Sequence, residues 1–598
     1  MESAAVRILS RRMVRPTTTA TGNGHCRPQK EDVEVIHLTP WDLRLISIGE
    51  RGDGTVTGAE LVHTVAPEVA AGDIVSSLYT PVVWDFYSFN EVLGADAAVS
   101  GDLPVVSLAL FAALLGGGAS DGAAVRIVSR RMVRPSPPTK TTTATGNGHH
   151  HPPKEEDDDV EVIHLTPWDL RLISIDYIQK GILLPNPPVT GADLIEAMES
   201  SFARALVRFY PFAGRLAADE RGDGTVTVSL RCTGEGAEFV HAVAPEVAAA
   251  DIVSSLYTPP VVWDFYSFNQ VLGADAAISG DLPVVSVQIT ELADGVFVGM
   301  TLNHSVADGT AFWHFFNTWS EIHRRGVDGG ELSTPPPVLR RWFVETIPVP
   351  IPMPFPKLHD IVKRFDRTPV QECFFTFSSE SVKKLKTQAN SEVAGDEVSV
   401  TISSLQAVLA HFWRAVCRAR RLPPEQETFY SVVVGCRGRL NGIPPGYLGN
   451  AMVIGKAAAT AGEIEKRGLG WTAKLLNRAV ASFDETTMRE WLERWAMAPD
   501  FTYMDNLSSA GTAIVTGSSP RFDVFGNDFG WGKPVAIRSG AGNKADGKAT
   551  VFEGPDRGGS MSLEVCIAPD ALARLVADEE FMDAVSSPAG RPAGVMRG

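Results

Sequence analysis

Cysteine is scarce and scattered in this 598-residue chain: Cys26, Cys232, Cys373, Cys417, Cys436 and Cys566, with no CxxC pair. That excludes a dense disulfide framework and a cysteine-rich zinc module, and points to a reduced cytoplasmic setting. Long hydrophobic runs are lacking as well. A membrane-crossing helix needs roughly 20 apolar residues, and the longest candidate, VVSLALFAALLGGG at 105–118, is short and runs into glycine. Positive charge is the third shortage. Lys and Arg number 54 against 71 Asp and Glu, a net charge of -17, so no chain-wide affinity for nucleic acid or an anionic membrane is expected. An anionic ligand would need a local basic pocket.

What is present is ordinary globular material, 44% hydrophobic and 21% charged, in a chain too long for one comfortable core; two domains are expected. The chain is also partly duplicated. VEVIHLTPWDLRLISI occurs at 33–48 and 160–175, WDFYSFN at 84–90 and 263–269, and SGDLPVVS at 100–107 and 279–286. The N-terminal VRILSRRMVRP, Arg-rich like a transit peptide, returns at 125–135 as VRIVSRRMVRP, where no targeting signal would function. A first strand is the better reading. The first copy lacks Asp176–Asp219, which holds the amphipathic pattern ADLIEAMESSFARALVRFY, and lacks VSLRCTGE (228–235). After Ser107 it diverges where the second copy runs on into VQITELADGVFVGMTLNHSVADG. Residues 1–122 are therefore expected to form a loosely packed, non-catalytic fragment. The histidines His149, His150 and His151 sit among Pro, Gly and acidic residues and read as a solvated loop rather than a metal site.

Periodicity beyond this loop predicts mixed α/β structure with helices outside the sheets. The helix patterns are 192–210, 403–420, 474–483, 488–497 and 569–581. Strand patterns are 296–302, 372–378, 429–436 and 561–568. The proline-dense 333–357 excludes helix interiors and central strands and reads as a surface crossover.

The chemistry concentrates in HSVADG (304–309), placed between the strand at 296–302 and a helix starting near Asp308–Gly309. His304 is a side chain that titrates near neutrality, suited to take a proton from a hydroxyl or amine attacking an acyl carbonyl. No serine or cysteine partner stands in the motif, so direct transfer without a covalent intermediate is simpler. Asp308 has two roles open to it: orienting the imidazole as a triad acid does, or capping the helix and pairing with an arginine. Metal ligation lacks further ligands. A lone HxxxD is weak evidence. Here it stands in order with YPFAGRL (210–216), CRGRLNGIPPGYLGN (436–450) and NDFGWGKP (527–534).

With those segments in that order, residues from about Ala124 to Val585 resemble the BAHD family of plant acyl-CoA-dependent acyltransferases, HSVADG standing for its HxxxD motif and DFGWG for its second signature. The resemblance implies two similar α/β domains of the chloramphenicol-acetyltransferase type, with mixed sheets, outer helices and a channel between them. Laid on this chain it gives a first strand plus low-complexity loop at 123–159, an N-terminal domain at 160–334, a linker at 335–371 and a C-terminal domain at 372–598. His304 would be the general base. Asp308 would pair with Arg437, and Asp308, Gly309, Arg437, Asp528 and Gly530 would be structural; Trp531 and Lys533 would line the channel on the CoA side. No metal or bound cofactor is implied. The implied partners are acyl-CoA and a small-molecule acceptor, a plant metabolite with a hydroxyl or amine, handled by a cytoplasmic monomer. Two alternatives stay open: a repurposed lyase-type enzyme using the same channel, and a non-catalytic pseudoenzyme. The truncated first copy departs from the family pattern.

Overall fold

The structure is a computed structural model that describes residues 124–136 and 160–586, except 327–329, 366, 396–399, 505–510 and 557, together with the backbone of three strands nearer the N-terminus. The chain forms two compact units, Met1–Ser120 and Asp121–Gly598. Cys26, the 105–118 run and the His149–His151 loop lie outside the described residues.

In the first unit β1 (Arg7–Val14), β2 (Ile46–Glu50) and β3 (Val56–Val65) make an antiparallel sheet with β3 in the middle. The second unit opens with β4 (Arg126–Val133), which is identical to β1 except for Val128 in place of Leu9. Then come β5 (Val162–His164), α1 (Pro167–Leu170), β6 (Ile178–Pro185), α2 (Gly191–Arg208), β7 (Arg215–Glu220), β8 (Val226–Arg231) and β9 (Ala237–Ala244). β1 pairs with β3 as β4 pairs with β9, with Ser10 opposite His63 and Ser129 opposite His241, and with the same register shift one pair earlier. Near-identical sequence has reproduced one hairpin-like pairing twice.

β10 (Val285–Leu292) and β11 (Gly295–Leu302) follow and feed α3 (Gly309–Arg325). Every residue of β11 is buried, as its unbroken apolar run GVFVGMTL requires of a strand covered on both faces. α3 starts on the Asp308 cap and carries His323, Arg324 and Arg325 in its last turn, where cations complement the helix dipole. It packs against α2 through edge-to-face aromatics, Phe202 with Phe315 and Trp319, and Phe209 with Phe315.

The crossover at 333–357 contributes only isolated bridges, Val338 with Tyr447 and Val226 with Met353. It leads to β12 (Gln371–Phe377), α4 (Ser379–Glu392), α5 (Ser404–Ala419), β13 (Glu427–Gly435), β14 (Met452–Thr460), α6 (Gly468–Ala481) and α7 (Glu485–Met497). Strands β15 (Ala513–Ser518), β16 (Ala536–Ser539), β17 (Lys548–Glu553) and β18 (Met561–Ile567) close the fold. The pattern at 569–581 resolves into two short helices, Pro569–Val576 and Glu579–Met582, because Asp578 caps a new start.

Two six-stranded mixed sheets result, in the orders β16-β6-β11-β10-β9-β4 and β12-β18-β17-β15-β13-β14, with a small β5-β8-β7 sheet beside them. β16 belongs to the C-terminal half by sequence yet pairs antiparallel with β6, Ser539 opposite Lys180. The two halves are thus laced together at one sheet edge. No helix among the described residues is long and apolar enough to cross a membrane.

Candidate active site

The HSVADG turn leaves β11 at the interior of the second unit. His304 sits two residues past the strand end, and Asp308 immediately precedes α3. Oδ1 of Asp308 accepts from the N–H groups of Thr310 and Ala311 at 3.0 and 3.1 Å and from Arg437 Nη2 at 3.1 Å. Oδ2 accepts from Arg437 Nη1 at 2.6 Å and from the N–H of Ala451 at 3.0 Å. A carboxylate has about four lone-pair sites, so five donors leave none for the imidazole. Asp308 is occupied with cap and ion pair at once. Arg437 in turn donates Nη2 to the carbonyls of Tyr447 and Gly449, both at 2.8 Å.

Asn450 fastens the histidine itself. Its Nδ2 donates to the His304 carbonyl at 2.8 Å and to Asp169 Oδ1 at 2.9 Å, and its N–H reaches the same Asp169 oxygen at 3.0 Å. Asp169 comes from the TPWDL segment, where it closes a capping box with Thr166 at the start of α1. Arg341, from the proline-rich crossover, donates to the carbonyls of Val306, at 2.7 Å, and Leu448. Asp169, Asn450 and Arg341 were not singled out from sequence. TPWDL and GYLGN were visible as strings, but only folding brings them to the same turn.

His304 Nδ1 has no hydrogen-bond partner among the described residues. Burial depresses the imidazole to about 4, with the nearby Lys548 charge adding to the effect and Asp308 opposing it. The residue as a whole is only partly buried. The imidazole is neutral at pH 7, with a lone pair available to take a proton.

Gly309 opens α3 where a Cβ would come within 3.1 Å of the Phe522 ring; a bare backbone is what lets the 520s loop lie on the helix start. The DFGWG turn is elsewhere. Gly530 and Gly532 have φ of 107° and 136°, backbone angles that side chains resist, and Asp528 Oδ1 caps the turn by accepting from both their N–H groups at 2.7 and 3.2 Å. Phe529 and Trp531 pack on His323 in the last turn of α3, with ring centroids 5.5 Å away in each case. At 1.5 Å per residue, His323 lies roughly 21 Å along the helix from its start. Trp531 is therefore not beside His304. Lys533 is exposed just past the turn. A groove of about 990 Å³ between β4 and α2 holds none of these motif residues. Among the described residues no cluster of three or more His, Cys, Asp or Glu is arranged to hold a metal ion, and the five described cysteines are free.

Comparison with known proteins places this geometry. The family described as the transferase family matches residues 151–582. The chain belongs to that family, the BAHD acyltransferases. It is 36% identical over 432 residues to an uncharacterized acetyltransferase of Arabidopsis thaliana, covering 71% of this chain and 94% of that protein. It is 30% identical to the BAHD acyltransferase DCR of the same plant, covering 70% and 88%. Among solved structures, vinorine synthase aligns over 77% of this chain and 99% of its own with a TM-score of 0.53 at 20% identity. TRI101 of F. sporotrichioides, solved with coenzyme A and T-2, aligns over 71% and 98% with a TM-score of 0.55 at 18% identity. These two carry the fold: two mixed-sheet α/β halves of the chloramphenicol-acetyltransferase type. The BAHD chain is accordingly an acyl-CoA-dependent acyltransferase.

Proposed function

We propose that the protein transfers an acyl group from acyl-CoA to the hydroxyl or amine of a small plant metabolite, with His304 as general base and no covalent acyl-enzyme. The acceptor oxygen or nitrogen gives its proton to the neutral His304 imidazole as it attacks the thioester carbonyl. The tetrahedral intermediate collapses by breaking the C–S bond, and the imidazolium returns the proton to the departing CoA thiolate. Atoms and charge balance without a further reactant.

The observation that supports this reading is a His304 imidazole kept neutral by burial while the Asp308 carboxylate is fully spent on α3, Arg437 and the Ala451 N–H. A base held by its backbone through Asn450, rather than by a carboxylate on its ring, can accept a proton and release it again within one turnover. Asp308, Gly309, Arg437, Asp528 and Gly530 then serve as frame. Lys533 is left as a surface contact for the CoA phosphates, a role its exposure permits.

The test is CoA-thiol release with a panel of acyl-CoAs and acceptors. Removing a general base typically costs 10²–10⁴-fold, so His304→Ala should lose about that much kcat with its folding intact. Undiminished thiol release in the alanine variant would sink the assignment.

A further inference from the structure

A second set of buried charges lies where the two large sheets meet. Lys544, in the loop before β17, claims both carboxylates there: its Nζ bonds Glu372 of β12 and lies 3.3 Å from Glu564 Oε2 of β18. Those carboxylates more than offset burial and hold the Lys544 ammonium above its ordinary pKa. Three other cations have no carboxylate at ion-pair distance. Arg538 gives its protons to the carbonyls of Ile537 and Ile252 and stacks 4.3 Å from the Phe374 ring centre. Lys180 donates to the Ser539 hydroxyl at 2.5 Å and lies 5.3 Å from the Phe552 ring centre. Lys548 donates its backbone N–H to Ala545, but its ammonium has no hydrogen-bond or ion-pair partner among the described residues. Four cations thus meet two carboxylates inside a chain whose net charge is -17.

An ammonium held in protein without a counter-ion is costly. Burial lowers Lys548 to about 8, assisted by Lys544, and lowers Lys180 to about 7 against the attraction of Glu564. Both residues are only partly buried, as His304 is, and Lys548 lies near enough to His304 to disfavour its protonation. Room has been left at the charge as well: a Cβ on Gly517 would stand 3.1 Å from Lys548 Nζ. An unpaired cation against a bare glycine, with a base nearby, describes a place built for an anion that arrives with the reaction.

We propose that Lys548, reinforced by Lys180, anchors a carboxylate subsite in the reaction channel, so that one of the two substrates carries a free carboxylate. The shared chemistry fits two sources, an acidic acceptor or a dicarboxylic acyl group on CoA. The location rests on reading His304 as the reacting base.

Two experiments on the full-length protein keep the readings apart. In the first, benzoate and benzamide binding to His304→Ala protein are compared by calorimetry. Benzoate should bind at least tenfold more tightly, and Lys548→Met should abolish that margin while Lys548→Arg preserves it. This arm needs no catalysis, so a wrong base leaves it intact. Equal binding of acid and amide, or a margin that survives Lys548→Met, overturns the subsite. The second arm measures kcat and KM in otherwise native protein. An acidic acceptor is set against its methyl ester with acetyl-CoA, and succinyl-CoA against butyryl-CoA with a neutral alcohol. Lys548→Met should raise KM about tenfold for the carboxylated member of one pair only, and that pair names the source. An equal change for charged and uncharged members, as a purely structural lysine would give, refutes the proposal.

Discussion

At pH 7 the His304 imidazole carries no proton, and its burial sets how far that remains true. If it is the base, activity needs the neutral form, so the acid limb of kcat/KM should fall near pH 4 rather than near the ordinary 6.5. An acid limb at 6.5 would mean an exposed histidine. Stability runs differently. His304 and His323 are both depressed to about 4 by burial; an unfolded chain protonates them below 6.5 while the native one does not. Their contribution is complete above 6.5 and is lost as pH falls toward 4, about 3 kcal/mol for each. The denaturant midpoint should therefore drop between pH 6.5 and 4.5 before the active form is titrated away. Asp308 invites a sharper test. Asp308→Ala removes a helix cap and strands the buried Arg437 charge, a loss of about 3–5 kcal/mol. Combined with Arg437→Ala, the two losses should fall short of additivity by 1 kcal/mol or more in a double-mutant cycle. Strict additivity would show that the ion pair carries no coupling. At this scale the sequence exposed the pair itself, because a histidine and an acid four apart at a strand–helix junction have few uses. It left the two roles of Asp308 unresolved, since cap, ion pair and triad acid all call for the same residue type. It was silent on Asn450, whose amide acts on a backbone carbonyl that no motif records.

Elements with strong periodicity were legible. α2 and α3 bury an apolar face and α5 is buried nearly all round, and those patterns are written in the order of residues. β14 (MVIGKAAAT) and the four-residue β16 (AIRS) were not, because their stability comes from partners distant in sequence. The DFGWG turn belongs to this scale too. It was legible as a tight backbone turn, and the family resemblance implied a structural place for it off the catalytic centre. Gly530→Ala and Gly532→Ala force a Cβ into backbone angles that cost about 1–3 kcal/mol each, and at Gly532 the new carbon also meets Pro185 at 3.0 Å. Both variants should melt several degrees lower while the turnover of the folded fraction changes little. A large fall in kcat at unchanged melting temperature would place the turn in the chemistry after all.

For the whole molecule, composition and the order of motifs pointed to two halves. The lacing of β16 into the N-terminal sheet could not be read, because the C-terminal sequence gives no sign of which sheet a short strand joins. The duplicate could be read, and its consequence for activity can be measured. All the residues at the His304 turn belong to Asp121–Gly598, so protein beginning at Asp121 should release CoA thiol at the rate of the full chain. A drop of more than about tenfold in soluble, folded protein would give the first copy a part in the enzyme.

The His304 carbonyl is held by Asn450, 146 positions away, and Asp308 by Arg437, 129 positions away. Neither half of the chain owns the site. Chains of this length fold by parts, so the site comes into being only when the parts dock. During refolding, far-ultraviolet circular dichroism should recover first and thiol release afterwards, the lag timing the arrival of Arg437 and Asn450 at a turn that β11 and α3 have already delivered.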